Sequence, residues 1–417
     1  MKMLRLTLLL LVFWTGCSVA IKFPIVLVPG IAGSQIDVRH TEKIPYPDIC
    51  RVVFSTNSWR QAWLSIKEVL PGLVRCFSID MSLEFDVNTL KYNDPEGIET
   101  RIPNFGSTKS IEYLDNSTDF IIRAETKYFH DMVQYFVDNA GYERDESIVA
   151  APYDWRKSPW SMDGYFERLQ ALVENVTAKY NAPAIVISHS MGGPVLKAFF
   201  NTTTSDWRDK HIKAWFPVEG VWIGSPKVLE AIVSGDGFGT PAPVADLIDM
   251  ERSLESTLFL APMPGLWPND VSDELIIVEE TSKSYGVSDY VALLQALNIS
   301  HAQERLANVM SKREMIHGPP GVRMYCIYGT NVDTAWGYKY SALDRSAPEK
   351  KIIGDGDGTV PLPSLEYCKN WVGKQPQPVV LKTFPNVNHV AAIMDKGIFQ
   401  YIQREMDALA EEHASRA

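Results

Sequence analysis

The chain has 417 residues, of which 46% are hydrophobic and 22% charged, and it carries a net charge of −11. These proportions are those of a globular protein and exclude a long disordered or low-complexity chain. The acidic excess argues against nucleic acid as a partner, because a phosphate-binding surface needs clustered lysine and arginine. The length suits one large α/β domain with an insertion, or two to three smaller domains.

The first twenty residues have the pattern of a secretory signal peptide. Two basic residues precede the apolar stretch Leu6–Trp14, which is too short to span a bilayer. Small residues follow at 18–20, so we expect residues 1–20 to be removed and 21–417 to form the mature chain. No later window reaches the roughly 18 apolar residues of a transmembrane helix. The mature chain is therefore expected to be lumenal or extracellular.

Four cysteines remain after the signal peptide, and an even number in an oxidising compartment indicates two disulfides. Of the three possible pairings we favour Cys50–Cys76 and Cys326–Cys368, because these close the two shortest loops. Four N-x-S/T sequons also agree with secretion. The predicted glycan acceptors are Asn116, Asn175, Asn201 and Asn298.

The first predicted element of the mature chain is a buried parallel strand over 24–28, because an apolar run ends at Pro29-Gly30. The aromatic-rich stretch 59–73 has near-helical spacing. Two interpretations stay open for it: an amphipathic helix packed on the core, or a surface that dips into a lipid interface. A hydrophobic stripe within 162–180 then predicts a helix.

Strand and helix patterns alternate in the middle of the chain. Residues 184–187 predict a strand, 192–200 a helix and 212–222 a further strand. This alternation is typical of an α/β fold in which helices cover both faces of a parallel sheet.

Residues 225–320 break this alternation, and we expect an inserted cap there. A Gly- and Pro-rich stretch at 234–243 predicts a mobile loop within the cap. Strand patterns return at 324–328 and 379–384, and an amphipathic pattern predicts a terminal helix over 395–411.

The segment Ser188–Gly192 is similar to the nucleophile elbow G-x-S-x-G, with Ser188 in place of the first glycine. An elbow needs small residues because its backbone is strained and a helix packs closely behind it. Ser190 would then lie at a helix N-terminus, where a developing anion is favoured. The motif predicts Ser190 as a nucleophile, whereas the alternative is a strand-to-helix turn without chemistry. His189 is expected to point away from the catalytic face.

In an α/β-hydrolase the acid and then the base follow the nucleophile. His389 comes directly after the last predicted strand and is the candidate base. The acid is sought in 354–360, where Asp355 and Asp357 both have flanking glycines, and spacing does not choose between them. The alternative for D-G-D-G is a calcium site, but the remaining oxygen ligands of an EF-hand loop are missing. We predict no metal and no cofactor.

An oxyanion formed at Ser190 should be held by two backbone amides. One belongs to Met191, the residue after the nucleophile, and the other to the loop after the first strand, where Ile31 is the candidate.

Together these motifs resemble the lecithin:cholesterol acyltransferase family, most closely its lysosomal phospholipase A2 branch. The resemblance runs over most of the mature chain. It is carried by the segments Val26–Gly30, Ala151–Arg156 (A-P-Y-D-W-R), His189–Gly192, Tyr328–Thr330 and Gly354–Val360.

The resemblance implies an α/β-hydrolase fold with a mostly parallel sheet, an inserted cap and lid at 225–320, and a small membrane-binding subdomain at 45–80. It places the lid loop at 234–243. It assigns the catalytic acid to Asp357 and the base to His389, and it implies the same two disulfides.

The resemblance also implies an activity, which is that of a calcium-independent phospholipase A2 or A1 that transfers acyl groups to lipid alcohols through an acyl-serine. The expected partners are a phospholipid membrane or lipoprotein surface and a lipid alcohol acceptor, with the enzyme a monomer in the lysosome lumen or outside the cell. A neutral-lipid lipase or other carboxylesterase, and a non-catalytic lipid-binding protein on the same fold, stay open as alternatives. The chain departs from the family at Ser188, at Ile31, where the lysosomal branch has an acidic residue, and at 220–224.

Overall fold

A computed structural model describes residues 23–41, 47–54, 57–268 and 274–415. The predicted signal peptide lies outside these residues. The strands are β1 Ile25–Val28, β2 Ile36–His40, β3 Arg60–Trp63, β4 Glu84–Asp86, β5 Lys91–Asn93, β6 Ile98–Arg101, β7 Ile148–Ala150, β8 Ala184–His189, β9 Ile212–Val218, β10 Ile276–Val278, β11 Lys283–Tyr285, β12 Met324–Thr330, β13 Thr334–Tyr340, β14 Lys350–Gly354 and β15 Val379–Pro385.

The α-helices are α1 Asp48–Val53, α2 Val74–Met81, α3 Lys109–Glu112, α4 Phe120–Glu125, α5 His130–Ala140, α6 Tyr165–Tyr180, α7 Gly192–Thr202, α8 Ser205–His211, α9 Lys227–Ser234, α10 Ile248–Ser253, α11 Glu255–Phe259, α12 Tyr290–Ala296, α13 Ala302–Arg313, α14 Leu362–Leu365 and α15 Lys396–Ala414. Short 3₁₀ turns lie at Pro159–Ser161, Val244–Asp246, Glu314–Ile316, Glu366–Trp371 and Ala391–Met394. Within the described ranges, no helix combines the length and the apolar character needed to cross a bilayer.

A six-stranded parallel sheet in the order β15-β12-β9-β8-β1-β7 forms the centre of the molecule. Its inner strands are continuous apolar runs because both faces are covered. Val26 and Val28 of β1 face one hydrophobic core, whereas Ile25 and Leu27 face the other. Because the strands are parallel, the loops that follow them meet at one edge of the sheet. This architecture confirms the predicted α/β-hydrolase fold.

The predicted cap, residues 225–320, contains helices α9 to α13 and strands β10 and β11. Its strands join a second sheet of order β11-β10-β13-β14, in which β10 runs parallel to β13 from beyond residue 320. Two smaller antiparallel sheets, β3-β2-β6 and β4-β5, lie in the N-terminal part of the chain.

The prediction of a helix over 59–73 is wrong. Residues 60–63 form β3, which pairs with β2 so that Ile36 lies opposite Trp63, and the helix α2 begins only at Val74. The Trp63 indole N–H donates to the Ala32 carbonyl at 2.6 Å, which holds this side chain in the core. Pro71-Gly72 precedes α2, and Gly72 has φ of +93°, a conformation that ends any continuous helix through the stretch.

Two disulfides have the predicted pairings. Cys50–Cys76 joins α1 to α2, and Cys326–Cys368 joins β12 to the turn that follows α14. All four predicted glycan acceptors are exposed asparagines, and their glycosylation stays a prediction.

Candidate active site

The turn between β8 and α7 has the geometry of a nucleophile elbow. Ser190 has φ of +56°, a left-handed conformation that non-glycine residues rarely adopt. A Cβ at Gly192 would lie 2.5 Å from the Pro29 carbonyl oxygen, so only glycine fits where the helix packs behind the turn. The Ser188 hydroxyl accepts a hydrogen bond from the Trp215 indole N–H at 2.9 Å, which explains why a serine is accommodated at the first elbow position.

Three side chains far apart in the sequence meet at the end of β8. The Ser190 Oγ lies 2.9 Å from His389 Nε2, and His389 Nδ1 lies 2.6 Å from Asp357 Oδ2. An ionised carboxylate only accepts hydrogen bonds, so the proton of the neutral imidazole is on Nδ1. His389 Nε2 is therefore free to accept the Ser190 proton, which is the arrangement of a general base beside a nucleophile.

The loop after β14 presents Asp357 rather than Asp355 to His389. Asp357 Oδ1 accepts hydrogen bonds from the amides of Thr359 and Val360 at 2.9 and 2.7 Å. Burial raises the pKa of the Asp357 carboxyl, but its contact with His389 outweighs burial and brings that pKa below the usual value. The Asp355 carboxylate instead accepts from the Asn331 amide at 2.6 Å. The two aspartates therefore have separate partners and do not converge as in an EF-hand loop.

The loop after β1 lies against the nucleophile. A Cβ at Gly30 would lie 2.7 Å from Ser190 Cβ, so glycine permits this close approach. In the described part of the chain, neither the Ile31 amide nor the Met191 amide donates a hydrogen bond to a protein acceptor. Two undonated amides beside Ser190 are what an oxyanion hole requires.

A chain of hydrogen bonds links the loop after β1 to the loop that carries His389. The Gly30 amide donates to the Tyr128 hydroxyl at 3.0 Å, and that hydroxyl lies 2.6 Å from His189 Nδ1. His189 Nε2 lies 2.9 Å from the His389 carbonyl oxygen. Because a carbonyl only accepts, Nε2 carries the proton and Tyr128 donates to Nδ1. Burial, followed by the proximity of His389, lowers the pKa of His189 to about 3 and keeps it neutral.

The expectation that His189 points away from the catalytic face is therefore wrong. His189 lines the same cavity as Ser190 and positions the loop that carries His389. Sequence reasoning also missed Tyr128, since nothing in its neighbourhood along the chain indicates a contact with residue 30.

The A-P-Y-D-W-R segment supports the site from behind. The Tyr153 hydroxyl donates to the Pro29 carbonyl at 2.9 Å, and the Trp155 indole N–H donates to the Ser34 carbonyl at 3.1 Å. The buried Arg156 guanidinium forms ion pairs with Asp94 and Asp154. This segment therefore holds the loop after β1 in place through Pro29 and Ser34.

A cavity of about 860 Å³ opens over Ser190 and His389. Most of its wall is apolar, and much of it comes from loops outside the central sheet. The apolar lining includes Ile31, Leu64, Ile66, Ile122, Val228 and Phe238. A cavity of this size and character accommodates a hydrocarbon chain.

One further carboxyl lies beside Asp357 and His389. Single ligand atoms of Glu219, Asp357 and His389 lie within 4.8 Å of one another. Two ligands of a metal ion bound at 2.0–2.2 Å stand about 3 Å apart or more, whereas Nδ1 and Oδ2 of the histidine–aspartate pair are 2.6 Å apart. The cluster therefore fits a hydrogen-bonded network and not a metal site.

Comparisons with known proteins agree with this geometry. Lysosomal phospholipase A and acyltransferase from Bos taurus is 32% identical over 384 residues, which cover 91% of each chain. The Homo sapiens protein of the same name is 31% identical over 91% of this chain and 90% of its own. Phosphatidylcholine-sterol acyltransferase from Mus musculus is 30% identical over 91% of this chain and 84% of its own.

Among solved structures, the crystal structure of the Tle4–Tli4 complex matches with a TM-score of 0.54, covering 94% of this chain and 99% of that one. Its sequence identity is 10%, so the match supports the fold alone. The family model for lecithin:cholesterol acyltransferase matches residues 59–318 and 305–396. The chain therefore belongs to the lecithin:cholesterol acyltransferase family.

Proposed function

We propose that this chain is a phospholipase A and lipid O-acyltransferase that acts on glycerophospholipids through an acyl-serine. The observation that carries the proposal is the unbroken contact from Ser190 Oγ through His389 to Asp357, at the base of an apolar cavity. Relatives named for phospholipase A and acyltransferase activity support the same substrate class.

The reaction follows from the contacts. Ser190 Oγ attacks the ester carbonyl carbon while its proton moves to His389 Nε2, and Asp357 stabilises the resulting imidazolium. The amides of Ile31 and Met191 hold the tetrahedral oxyanion. The carbon–oxygen bond to the glycerol then breaks, and the lysophospholipid leaves with the proton from His389. Water or a lipid alcohol then attacks the carbonyl carbon of the acyl-serine while its proton moves to His389 Nε2. The bond between the acyl group and Ser190 Oγ breaks, and His389 returns the proton to Ser190 Oγ.

Calcium independence is part of the proposal. The negative charge that develops on the ester oxygen is matched by two amide dipoles, so no cation is required to polarise the carbonyl. Chelation by EDTA should leave the rate of fatty-acid release unchanged.

We propose that the mouth of the cavity contacts a phospholipid membrane or a lipoprotein surface. Ile121 of α4 lines the cavity yet is 69% exposed, so it stands at the opening. The neighbouring Phe120 is 83% exposed, and Val390, which also lines the cavity, is 50% exposed. Exposed apolar residues around an opening are typical of a surface that meets lipid.

Residues of the proposed membrane-binding subdomain, 45–80, and of the proposed lid, 234–243, line the same cavity. Leu64 and Ile66 line the cavity, and Leu70 in the same segment is 44% exposed. From the other segment, Phe238 packs edge-on against Trp63, with the ring centroids 5.8 Å apart. This contact supports a lid that closes over the acyl chain.

We further propose that the enzyme is a monomer of the lysosome lumen or the extracellular space. Two relatives with lysosomal names support the first location. Liposomes carrying a labelled acyl chain, with and without ceramide or a sterol, at acidic and neutral pH, would identify the preferred acceptor and compartment.

The test of the proposed function compares Ser190→Ala with Ser188→Ala. The first variant removes the attacking oxygen, so labelling by a fluorophosphonate and fatty-acid release from phospholipid liposomes should both be lost. The second variant removes a buried hydroxyl two residues away that contacts Trp215, and should retain both activities. Release of fatty acid by Ser190→Ala at the wild-type rate would refute the proposal.

A further inference from the structure

Glu219 is a buried carboxyl that the acyl-transfer steps do not use. It directly follows β9, is fully buried, and has φ of +54°, which is unusual for a residue other than glycine. Its Oε1 accepts a hydrogen bond from the Gly329 amide of β12 at 2.8 Å. A strained backbone and complete burial of an acid beside the reacting groups point to a role in the site.

The second polar contact of this side chain is with Asp357. One carboxyl oxygen of each residue and a ring nitrogen of His389 lie within 4.8 Å of one another, and the buried Glu219 Oε2 receives no hydrogen bond from any donor among the described residues. Ionised carboxylates only accept hydrogen bonds, so these two carboxyls can form a hydrogen bond with each other only when one of them carries a proton.

The proton belongs to Glu219. Asp357 already accepts three hydrogen bonds, from the amides of Thr359 and Val360 and from His389 Nδ1, and these favour its ionised form. Burial, and then the charge of Asp357, raises the pKa of Glu219 well above its ordinary value.

We propose that Glu219 is a positioning residue that stays a neutral carboxylic acid and donates a hydrogen bond to Asp357, holding that carboxylate toward His389. Glu219 itself is held by the Gly329 amide, so β9 and β12 together fix the orientation of the acid. A further titratable group beside this network is His189, which contacts the His389 carbonyl and is neutral.

The proposed donor lowers the effective basicity of the relay. Without it, the negative charge of Asp357 is concentrated on its contact with the imidazole, which favours the protonated, inactive relay. The acid limb of the kcat/KM profile reports protonation of the relay as a unit. Loss of the donor should therefore move this limb to higher pH.

The experiment compares Glu219→Leu with Glu219→Gln on a soluble p-nitrophenyl ester, with rates normalised to fluorophosphonate-labelled sites. Gln keeps both an N–H donor for Asp357 and an oxygen acceptor for Gly329, so kcat and the pH profile should stay close to those of the wild type. Leu removes the donor, so kcat should fall about tenfold, with KM unchanged, and the acid limb should move up by about half a pH unit or more.

Two results would overturn the inference. One is a Glu219→Leu variant with lower thermal stability but an unchanged kcat and pH profile, since Glu219 would then be structural only. The other is a Glu219→Gln variant whose kcat/KM profile is shifted along the pH axis. This second test does not depend on the folding of Glu219→Leu, because Gln is the more conservative replacement. Because the inference rests on the proposed function, Ser190→Ala is assayed in parallel: activity in that variant refutes the function, whereas its inactivity beside an unaffected Glu219→Leu refutes only the role of Glu219.

Discussion

Replacement of Tyr128 by phenylalanine tests how the loop after β1, which carries the proposed oxyanion donor Ile31, is held. The Tyr128 hydroxyl accepts from the Gly30 amide at 3.0 Å and donates to His189 Nδ1 at 2.6 Å, and the side chain is buried. Phenylalanine keeps the ring and its edge-on contact with Phe129, so the perturbation is confined to one oxygen atom.

The magnitude follows from the two groups left without a partner. A buried donor or acceptor that loses its partner costs about 1–3 kcal/mol, so the amide and the imidazole nitrogen together should lower the free energy of unfolding by about 2–6 kcal/mol. The Ile31 amide follows directly in the chain, and its loop keeps the contact with Tyr153 but loses the one with Tyr128. Complete loss of an oxyanion donor costs about 10²–10³ in kcat, so a loosened donor should cost about tenfold.

The assay combines thermal unfolding with kcat and KM on a soluble ester, so that membrane binding does not enter. Tyr142→Phe is the matched control, because its buried hydroxyl donates to the Phe23 carbonyl before β1, at the opposite end of the sheet. That variant should lose stability but keep kcat. A Tyr128→Phe variant whose kcat and unfolding temperature both equal those of the wild type would show that this hydrogen-bonded chain does not hold the loop.

Two further predictions concern the cavity mouth and the lid. Replacing both Phe120 and Ile121 by serine should weaken binding to phospholipid vesicles by about 3 kcal/mol, since each apolar side chain leaves lipid, while hydrolysis of a soluble ester stays unchanged. Ile353→Ser, which replaces an exposed apolar residue of β14, is the control. An equal loss of vesicle binding in the control and in the double variant would contradict the assignment of the cavity mouth as the lipid-contacting surface. Burial raises the pKa of Glu251 to about 9, so folding at pH 7 has to protonate this carboxyl. Glu251→Gln removes that cost and should raise the free energy of unfolding at pH 7 by up to about 3 kcal/mol and flatten its dependence on pH, as measured by denaturant titration between pH 5 and 8. An unchanged pH dependence would mean that Glu251 is not buried in its neutral form.

The parts of the site that the sequence predicts are those built locally. The strand, strained turn and helix around Ser190 lie within one short segment, and steric exclusion at Gly192 forces small residues into a recognisable pattern. The parallel sheet was predictable for a similar reason, because strands buried on both faces read as continuous apolar runs.

The contacts that spacing did not reveal depend on the order of strands in the sheet. Glu219 meets Asp357 only because β9 lies beside β12, whose Gly329 amide anchors the glutamate. Tyr128 reaches Gly30 across 98 residues of sequence. At 59–73 the near-helical spacing was misleading because pairing of β3 with β2 overrides a weak local preference.

The protonation of two buried acids, Glu251 and Glu219, makes the stability of the fold depend on pH. Burial, more than any neighbouring charge, raises the pKa of Glu251 to about 9, and both of its carboxyl oxygens accept from the Asp236 amide in the proposed lid. Because the folded state binds this proton more tightly than the unfolded state does, stability is greatest below the ordinary carboxyl pKa and falls as pH rises toward 9. Glu219, whose pKa is also raised, has the same sign. Acidic pH therefore favours the folded geometry around both Glu251 and Glu219, and neutralisation of the medium should weaken it at both places.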